Sequence, residues 1–417
     1  MAKRRVVVTG LGTVNPMGHT VDEFWSALMA GRSGIRRIQR FGTAAFTSKI
    51  GGEVLNWEMP GSDLLDAREG KRMDRFCQFA VVCAIEAVRD SGIEFAKEDV
   101  DRCGVIYGSG IGGLQELEDQ HTRMMEKGPS RVSPFTVPKL MANAACGTIS
   151  IIWKLRGPNQ AVVTACASAG NSIGEALRCI QRDECDVMIT GGSEAALTQI
   201  GLASFCALRG LSTRNDDPER ASRPWDKDRD GFLLSEGAGA LVLEELDHAK
   251  ARGARIYAEL IGYGSSGDGY HITAPDPDGN GAVLAMRRSL KDAELAPEQV
   301  QYVNAHGTST ELGDLAETKA IKKAFGAYAT NGLMVSSTKS AHGHLLGASG
   351  AVEAIVCLKS LVDGVIPATF NLDNPSDDCD LDYVPKTHRQ DKVDVMLSNS
   401  FGFGGHNACL IFKRFNG

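Results

Sequence analysis

The chain has 417 residues, a formal net charge of −7, and 43% hydrophobic and 23% charged residues. The composition is typical of a globular protein, and the length favours two or three units or one large α/β body. The negative charge argues against a general affinity for nucleic acid. The sequence has no run of 18 apolar residues, so no membrane span is predicted. The apolar run that follows the basic residues of MAKRRVVVTG is too short for a signal peptide.

The cysteines point to a reducing compartment. There are eleven of them, an odd number, and no two are spaced as a CxxC pair. Such scattered cysteines predict reduced and mostly buried thiols, and hence a cytoplasmic protein.

Strands and helices alternate along the first part of the chain. Residues 5–9 predict a buried strand, and Gly10 to Gly12 predict a turn out of it. Apolar spacing over residues 74–91 predicts a long amphipathic helix that ends at Gly92. The other predicted strands are 105–109, 161–164, 186–190 and 239–244, the other helices are 23–29, 114–126, 140–155 and 246–252, and the irregular segments are 31–70 and 209–231.

The same order of elements then runs roughly a second time. Alternating strands and helices predict an α/β fold with a covered, largely parallel sheet. We therefore expect two halves, residues 1–252 and 253–417, that pack as one body. The predicted strands of the second half are 255–262, 302–305, 334–337, 393–398 and 407–413, and its helices are 282–293, 314–325 and 350–363.

Cys166 occupies a predicted strand-to-helix corner. An apolar β-branched run stops at Thr164, and a helical pattern begins near Ala169. Free N–H groups and the dipole at a helix amino end favour a thiolate, which makes Cys166 a candidate nucleophile. The alternative is a small buried core residue, a common fate of free cysteine.

Other reactive side chains also follow predicted strands. In α/β sheets, the carboxyl ends of parallel strands form sites, so these groups could converge with Cys166. Glycines around them allow the close backbone approach of an oxyanion hole. The groups are His306 in NAHGTST, Lys339, His342 and His344 in TKSAHGHLLG, and the turn 401–405 in SNSFGFGGHN.

Two other kinds of site are not favoured by the sequence. His306, His342, His344 and Cys166 could ligate a metal, but their spacing matches no common zinc pattern. The segment GSGIGG lacks the spacing and the acidic partner of a dinucleotide-binding loop.

Four separated segments, TACASAG, NAHGTST, STKSAHGHLLGASGAVEA and NSFGFGG, resemble the signatures of the β-ketoacyl-acyl-carrier-protein synthases. The resemblance covers essentially the whole chain, including ALRGLSTRNDDPERASRPWDKDRDGF, and is strongest to the type II elongating condensing enzymes. It implies the thiolase-like fold, in which duplicated halves with mixed, mostly parallel sheets are layered between helices as αβαβα.

The resemblance also implies a reaction. Cys166 would take an acyl chain as a thioester, and malonyl-acyl-carrier protein would lose CO2 and attack it, which gives 3-oxoacyl-acyl-carrier protein in fatty acid elongation. His306 and His344 would assist decarboxylation, and the N–H groups of Cys166 and Phe403 would form the oxyanion hole. Lys339 and Glu353 would position the histidine region, and neither a cofactor nor a metal would be needed.

Substrate and partner contacts follow from the same resemblance. Ile111 and Phe205 would line the acyl pocket, and Thr308 and Thr310 would bind the pantetheine arm. Phe403 would gate the malonyl site, and Phe401 would also bind substrate. The resemblance also implies a homodimer. Acyl carrier protein is acidic, so a basic docking patch is expected. The expected docking residues for the carrier protein are Arg68, Lys71, Arg72, Arg131 and Arg209.

Alternatives within the family remain. A ketosynthase of polyketide or specialised lipid synthesis would share this site. A non-catalytic chain-length-factor subunit would lack the nucleophile, and a thiolase would carry a second cysteine where NSFGFGGHN stands. His342 and His406 occupy positions where the family often has threonine. We place the catalytic role on His344, which directly precedes LLG.

Overall fold

The fold is built on a mixed sheet, and the computed structural model describes residues 3–417 of the chain. The strands of the chain are β1 Val6–Val14, β2 Arg36–Arg37, β3 Ile50–Gly51, β4 Cys103–Gly108, β5 Asn159–Val162, β6 Val187–Glu194, β7 Gly237–Glu245, β8 Ala258–Gly267, β9 Tyr302–Asn304, β10 Met334–Ser336, β11 Val365–Ile366, β12 Arg389–Gln390, β13 Val395–Gly402 and β14 His406–Arg414. Strands β2 and β3 form one small sheet, β11 and β12 form another, and the other ten form the main sheet. The α-helices of the chain are α1 Val21–Met29, α2 Arg75–Ser91, α3 Leu114–Lys127, α4 Thr136–Leu140, α5 Ala144–Trp153, α6 Ser168–Gln181, α7 Gln199–Ala207, α8 Leu246–Ala251, α9 Asn280–Asp292, α10 Glu311–Phe325, α11 Tyr328–Asn331, α12 Lys339–His342 and α13 Ser349–Asp363.

The main sheet repeats one strand order on both sides of a central junction. Its order is β10-β9-β13-β14-β8-β1-β7-β6-β4-β5. Counted outward from the junction, β1, β7, β6, β4 and β5 correspond to β8, β14, β13, β9 and β10. Only two residue pairs, Val7 with Glu259 and Val8 with Ala258, join β1 to β8 among the described residues. The twofold order of elements expected from the sequence is therefore present, and the expected division at 252/253 falls between α8 and β8.

The sheet is mixed, as expected, but less parallel than expected. Within residues 3–417, four pairings of the main sheet are parallel and five are antiparallel. In each half the outer strands run parallel and the strands nearest the junction run antiparallel. The short turn 403–405 between β13 and β14 illustrates the cause, because a connection of this length can only join antiparallel strands.

Helices cover both outer faces of the sheet and fill the space between its halves. Helices α2 and α5 pack on the outer face of the first half, and α9 packs on that of the second, where α10 packs against it. Helices α6 and α13 contact each other and strands of both halves. The layers therefore follow the order αβαβα.

The prediction of a turn at Gly10 to Gly12 is wrong. Strand β1 continues through both glycines, with one register shift between Val8 and Gly10. A Cβ at Gly12 would lie 2.1 Å from the carbonyl oxygen of Cys83, and one at Gly10 would lie 2.0 Å from that of Ala87. These glycines let α2 lie directly on the strand.

The expected helix over residues 74–91 is α2, which Asp74 caps and which ends at the left-handed Gly92. Helix α7 was not expected. All eleven cysteines are free thiols. In the part of the chain that the structure describes, no helix combines the length and the apolar character needed to cross a membrane.

Candidate active site

A cavity of about 600 Å³ lies where the carboxyl ends of several strands meet. It brings together most of the site residues expected from the sequence. Lys339 and Glu353 are buried behind it, and four of the five expected docking residues lie outside its lining. The expected residues that line it are Ile111, Cys166, Phe205, Arg209, His306, Thr308, Thr310, His344, Phe401 and Phe403.

Cys166 lies at a strand-to-helix corner, as expected. Strand β5 ends at Val162, Ala165 has a left-handed φ of 48°, and a 3₁₀ turn over Ala165–Ala167 leads into α6. The Ser168 hydroxyl accepts from the Thr164 N–H at 2.9 Å and donates to the Ala165 carbonyl at 2.7 Å. These bonds hold the sharp corner that directs the thiol into the cavity.

The expectation of a thiolate at Cys166 is wrong for the substrate-free site. Burial raises the pKa of the Cys166 thiol to about 12. The Lys339 charge and the backbone N–H groups of Phe403 and Cys166 lower this pKa, whereas the Glu194 charge raises it. Loss of hydration by the charged form outweighs the helix amino end, so the thiol is neutral.

His306 and His344 face each other in the cavity. Their ring centroids lie 5.2 Å apart with an interplanar angle of 86°. The Nδ1 atom of His344 lies 3.0 Å from the Ser349 hydroxyl at the start of α13. His306 is held through its backbone N–H, which donates to Glu317 at 2.9 Å, while its buried Nδ1 has no partner among the described residues.

Both imidazoles are neutral. Burial, followed by the Lys339 charge, holds the pKa of His306 and of His344 well below the usual value. A neutral imidazole can donate one N–H and accept at its other nitrogen. The two rings can therefore donate to a substrate oxygen that becomes negative.

His342 points away from this pair. Its Nδ1 lies 2.8 Å from the Gly343 carbonyl and its Nε2 lies 3.0 Å from the Thr338 hydroxyl. The buried ring packs edge-on to Phe24, and burial lowers its pKa to about 3. His406 is exposed at the start of β14. Within residues 3–417, no group of three or more His, Cys, Asp or Glu side chains could hold a metal.

A buried ion pair lies behind the histidines. Lys339 and Glu353 are 1% and 0% exposed, and the ammonium group contacts the Glu353 carboxylate. Burial raises the pKa of Glu353, and the Lys339 charge opposes that rise. The charge of Lys339 also lowers the pKa of Cys166 and of both imidazoles, in each case as a smaller contribution than burial.

Two walls of the cavity differ in chemistry. On the apolar wall, the ring of Phe232 lies 5.5 Å from Phe205 and 5.4 Å from His344. On the polar wall, the hydroxyls of Thr308 and Thr310 lie 3.0 Å apart. The cavity thus offers an apolar surface next to the thiol and hydrogen-bonding groups elsewhere.

The turn after β13 borders the thiol. A Cβ at Gly402 would lie 2.9 Å from the Cys166 nitrogen, so the backbone of this turn lies against the corner. Phe401 lies 5.7 Å from the His306 ring, and Phe403 is 36% exposed. The backbone N–H groups of Phe403 and Cys166 both act on the thiol, where they lower its pKa.

The expected docking residues occupy exposed positions but differ in their ion pairs. Arg68 pairs with Asp66 at 2.6 Å and Arg72 pairs with Glu69 at 3.1 Å. Lys71, Arg131 and Arg209 are exposed and form no ion pair within the described chain. Arg209 alone of the five lines the cavity.

Sequence reasoning missed two buried carboxylates of the site. Glu317 accepts from the N–H groups of His306 and Gly307, and Glu194 accepts from Ile111 and its neighbours. Glu194 ends strand β6, so the strand-end rule applied to Cys166 could have found it. Glu317 lies inside a helix, where a glutamate ordinarily indicates an exposed face.

Comparison with known families gives one consistent result. A family model described as the β-ketoacyl synthase N-terminal domain matches residues 3–249, and one described as the C-terminal domain matches residues 257–373.

Curated relatives are similar over their whole length. A protein of Synechocystis sp. named 3-oxoacyl-[acyl-carrier-protein] synthase 2 is 52% identical over 415 residues, which cover 100% of this chain and 99% of the relative. A protein of the same name from Vibrio cholerae is 51% identical over 415 residues, with coverage of 99% and 100%.

Solved structures share the fold. A β-ketoacyl synthase of Burkholderia phymatum has a TM-score of 0.91 at 36% identity, covering 99% of this chain and 100% of the other. A structure described as a type II PKS acyl-carrier protein in complex with its ketosynthase bound to the hexaketide has a TM-score of 0.92 at 32% identity, with both chains covered fully.

Proposed function

The chain belongs to the β-ketoacyl synthase family, and from this we propose that it condenses malonyl-acyl-carrier protein with an enzyme-bound acyl thioester. The products are 3-oxoacyl-acyl-carrier protein and CO2, as expected of an acyltransferase of fatty acid elongation. The observation that carries the proposal is the shared cavity of Cys166, His306 and His344.

In the first half-reaction, the Cys166 sulfur attacks the acyl thioester of the carrier protein. The C–S bond to the carrier breaks as the bond to Cys166 forms, and the thiol proton leaves with the carrier sulfur. The N–H groups of Cys166 and Phe403 face the sulfur, so both can donate to the oxygen that becomes negative. No charged thiolate needs to accumulate in the buried site beforehand.

In the second half-reaction, the malonyl group loses CO2 and its C–C bond electrons form an enolate. His306 and His344 donate hydrogen bonds to that oxygen; we assign the Ser349 hydroxyl as the donor to His344 Nδ1, which leaves the proton on Nε2. The enolate carbon attacks the acyl carbonyl, the bond to the Cys166 sulfur breaks, and the released sulfur takes up one proton from solvent. Burial, with a further contribution from the Lys339 charge, keeps both imidazoles neutral.

We further propose that the carrier protein docks at the exposed cations, with Lys71, Arg131 and Arg209 contributing most because no carboxylate pairs with them. Thr308 and Thr310 bind the pantetheine arm, and Ile111 and Phe205 line the acyl pocket. The enzyme works in the cytoplasm.

Association as a homodimer is also part of the proposal. Strand β5 is an edge of the main sheet, and large apolar side chains near it are exposed, with Val163 at 54% and Ile151 at 75%. An unpaired edge flanked by apolar groups is suited to a second copy of the chain.

Acyl transfer can be tested directly. We expect mass spectrometry of the purified enzyme to show one acyl adduct on Cys166 after incubation with acyl-carrier proteins of varied length. Cys166→Ala should give no adduct. An adduct on another residue, or none at all, would contradict the proposal.

A ketosynthase of polyketide or specialised lipid synthesis is the second candidate, since one similar structure is described as a polyketide ketosynthase. Saturated chains from four to sixteen carbons distinguish the two functions. Acylation of Cys166 by saturated chains across this range favours fatty acid elongation. If saturated chains do not acylate Cys166, the second candidate is favoured.

A further inference from the structure

Glu194 is a buried carboxylate at the floor of the cavity that neither half-reaction uses. It ends strand β6 and is 0% exposed. No Lys, Arg or His side chain in the described part of the chain forms an ion pair with it. A carboxylate that remains buried without a cation must be held by hydrogen bonds, because its desolvation is costly.

Four donors converge on this carboxylate. Three come from the turn after β4: the Ser109 hydroxyl at 3.1 Å, the Gly110 N–H at 2.8 Å and the Ile111 N–H at 3.2 Å. The fourth is the Gly347 N–H at 3.1 Å, in the segment that follows His344. The Ser109 hydroxyl also accepts from the N–H of Gly112 at 3.0 Å, which closes the turn.

The packing around the carboxylate is tight. A Cβ at Gly110 would lie 2.7 Å from Glu194 Oε2, and one at Gly347 would lie 2.8 Å from the same atom. The turn therefore cannot shift without breaking bonds to Glu194. The side chain that this turn carries into the cavity is Ile111.

We propose that Glu194 is a positioning residue that fixes the turn 109–112, and thereby sets which acyl chain lengths Cys166 accepts. This inference rests on the proposed function. With the turn fixed, the Ile111 side chain stands at one place on the apolar wall. A chain that must displace Ile111 then meets resistance, whereas a shorter one does not.

Glu194→Gln tests this proposal at nearly constant volume. The amide keeps one acceptor oxygen, but its NH2 group faces the N–H donors of Gly110 and Gly347, so the turn is pushed away. We measure the rate constant of Cys166 acylation by mass spectrometry, for saturated acyl-carrier proteins of four to sixteen carbons. We compare the acylation rate constant of the preferred chain with that of a chain four carbons longer. The ratio of these two rate constants should fall by about tenfold, which is the scale on which apolar pockets discriminate between substrates.

A milder variant and a control complete the experiment. Ser109→Ala removes one donor from the same turn, and the same ratio should fall by about threefold. Glu86→Gln is the matched control, because Glu86 accepts the N–H groups of Thr13 and Val21 outside the cavity lining, and its ratio should equal that of the wild type. Acylation by the four-carbon chain should stay within about twofold in Ser109→Ala and Glu86→Gln, whereas in Glu194→Gln the lost charge acts on Cys166 for every chain alike, so only the ratio is compared there.

The outcomes separate the two proposals. An unchanged ratio in a folded Glu194→Gln protein overturns the role of Glu194. Should that variant not fold, an unchanged ratio in Ser109→Ala overturns it. If the wild type accepts no acyl chain on Cys166, the proposed function fails instead.

Discussion

Two imidazoles separated by a single residue along the chain have opposite surroundings. His344 lines the cavity, whereas both nitrogens of His342 are used by Gly343 and Thr338. The division of roles between these side chains follows from where their rings point, since burial lowers the pKa of both.

We expect His344→Ala to lower malonyl-carrier decarboxylation by about 100-fold, the usual loss when one donor to a developing oxyanion is removed. His342→Ala should keep decarboxylation within about threefold and instead lower the free energy of unfolding by about 2 kcal/mol. Release of labelled CO2 and denaturant titration measure the two effects. A severe loss of decarboxylation in His342→Ala alone would reverse the assignment.

The buried pair of Lys339 and Glu353 has a testable energetic signature. Lys339→Met leaves a buried carboxyl group without its partner, so the free energy of unfolding should fall by about 3 kcal/mol. The double variant with Glu353→Leu should recover most of that stability, because an apolar pair costs no desolvation. Equal stability of the single and double variants, measured by denaturant titration, would argue against coupling.

At the scale of elements, α2 rests directly on β1. Gly12→Ala would place a Cβ 2.1 Å from a backbone oxygen of this helix, so the free energy of unfolding should fall by about 3 kcal/mol. Gly92→Ala is the control, since its φ of 66° is unfavourable but no atom lies within 4 Å of the added Cβ. The free energy of unfolding of Gly92→Ala should fall by about 1 kcal/mol. Comparable losses in both variants would refute the contact.

The order of elements was predictable because hydrophobic periodicity depends on neighbouring residues alone. The turn at Gly10 to Gly12 was wrong because a glycine that admits a helix backbone is indistinguishable, in one sequence, from a glycine that turns the chain. Helix α7 was missed because its apolar residues follow no clear helical period.

The candidate site was predictable where reactive residues follow strands, as for Cys166 and His306. The raised pKa of Cys166 was not predictable, because the sequence reveals the helix amino end but not the degree of burial. Glu317 was missed for the same reason, because its burial against the N–H groups of His306 and Gly307 is not visible in the sequence, whereas Glu194 ends a strand and the strand-end rule could have found it.

At the scale of the whole molecule, the exposed apolar surface near β5 carries the prediction of a homodimer. Sedimentation of the wild type should give the mass of two chains. Ile151→Asp puts a charge on a side chain that is 75% exposed, so it should weaken association without disturbing the core. A wild type that sediments as one chain would contradict the prediction.

A charge cluster far from the cavity should make stability depend on pH. The hydrogen bond with Glu244, and then that with Glu98, raise the pKa of His248 to about 9. Burial would raise the pKa of Glu244, but hydrogen bonds from Arg252, His248 and Thr9 lower it to about 2.

The raised pKa of His248 determines whether this stability rises or falls with pH. Its contribution is complete below about pH 6.5, the unfolded value, and is lost as the pH rises through about 9. We expect the wild type to exceed His248→Gln by about 2 kcal/mol at pH 6 and to lose that advantage by pH 10. Denaturant titrations at both pH values check this, and an advantage that grows towards pH 10 would be the wrong sign.

The long connection between β1 and β7 has a consequence for synthesis on the ribosome. All nine residues of β1 are buried, yet Val6 pairs with Glu245 and Val14 pairs with Ala238. At roughly 5 to 20 residues per second, the partner strand is made roughly 10 to 50 s after β1. During that interval an apolar strand has no neighbour on either edge, so the nascent chain is expected to depend on chaperones until residue 245 has been added.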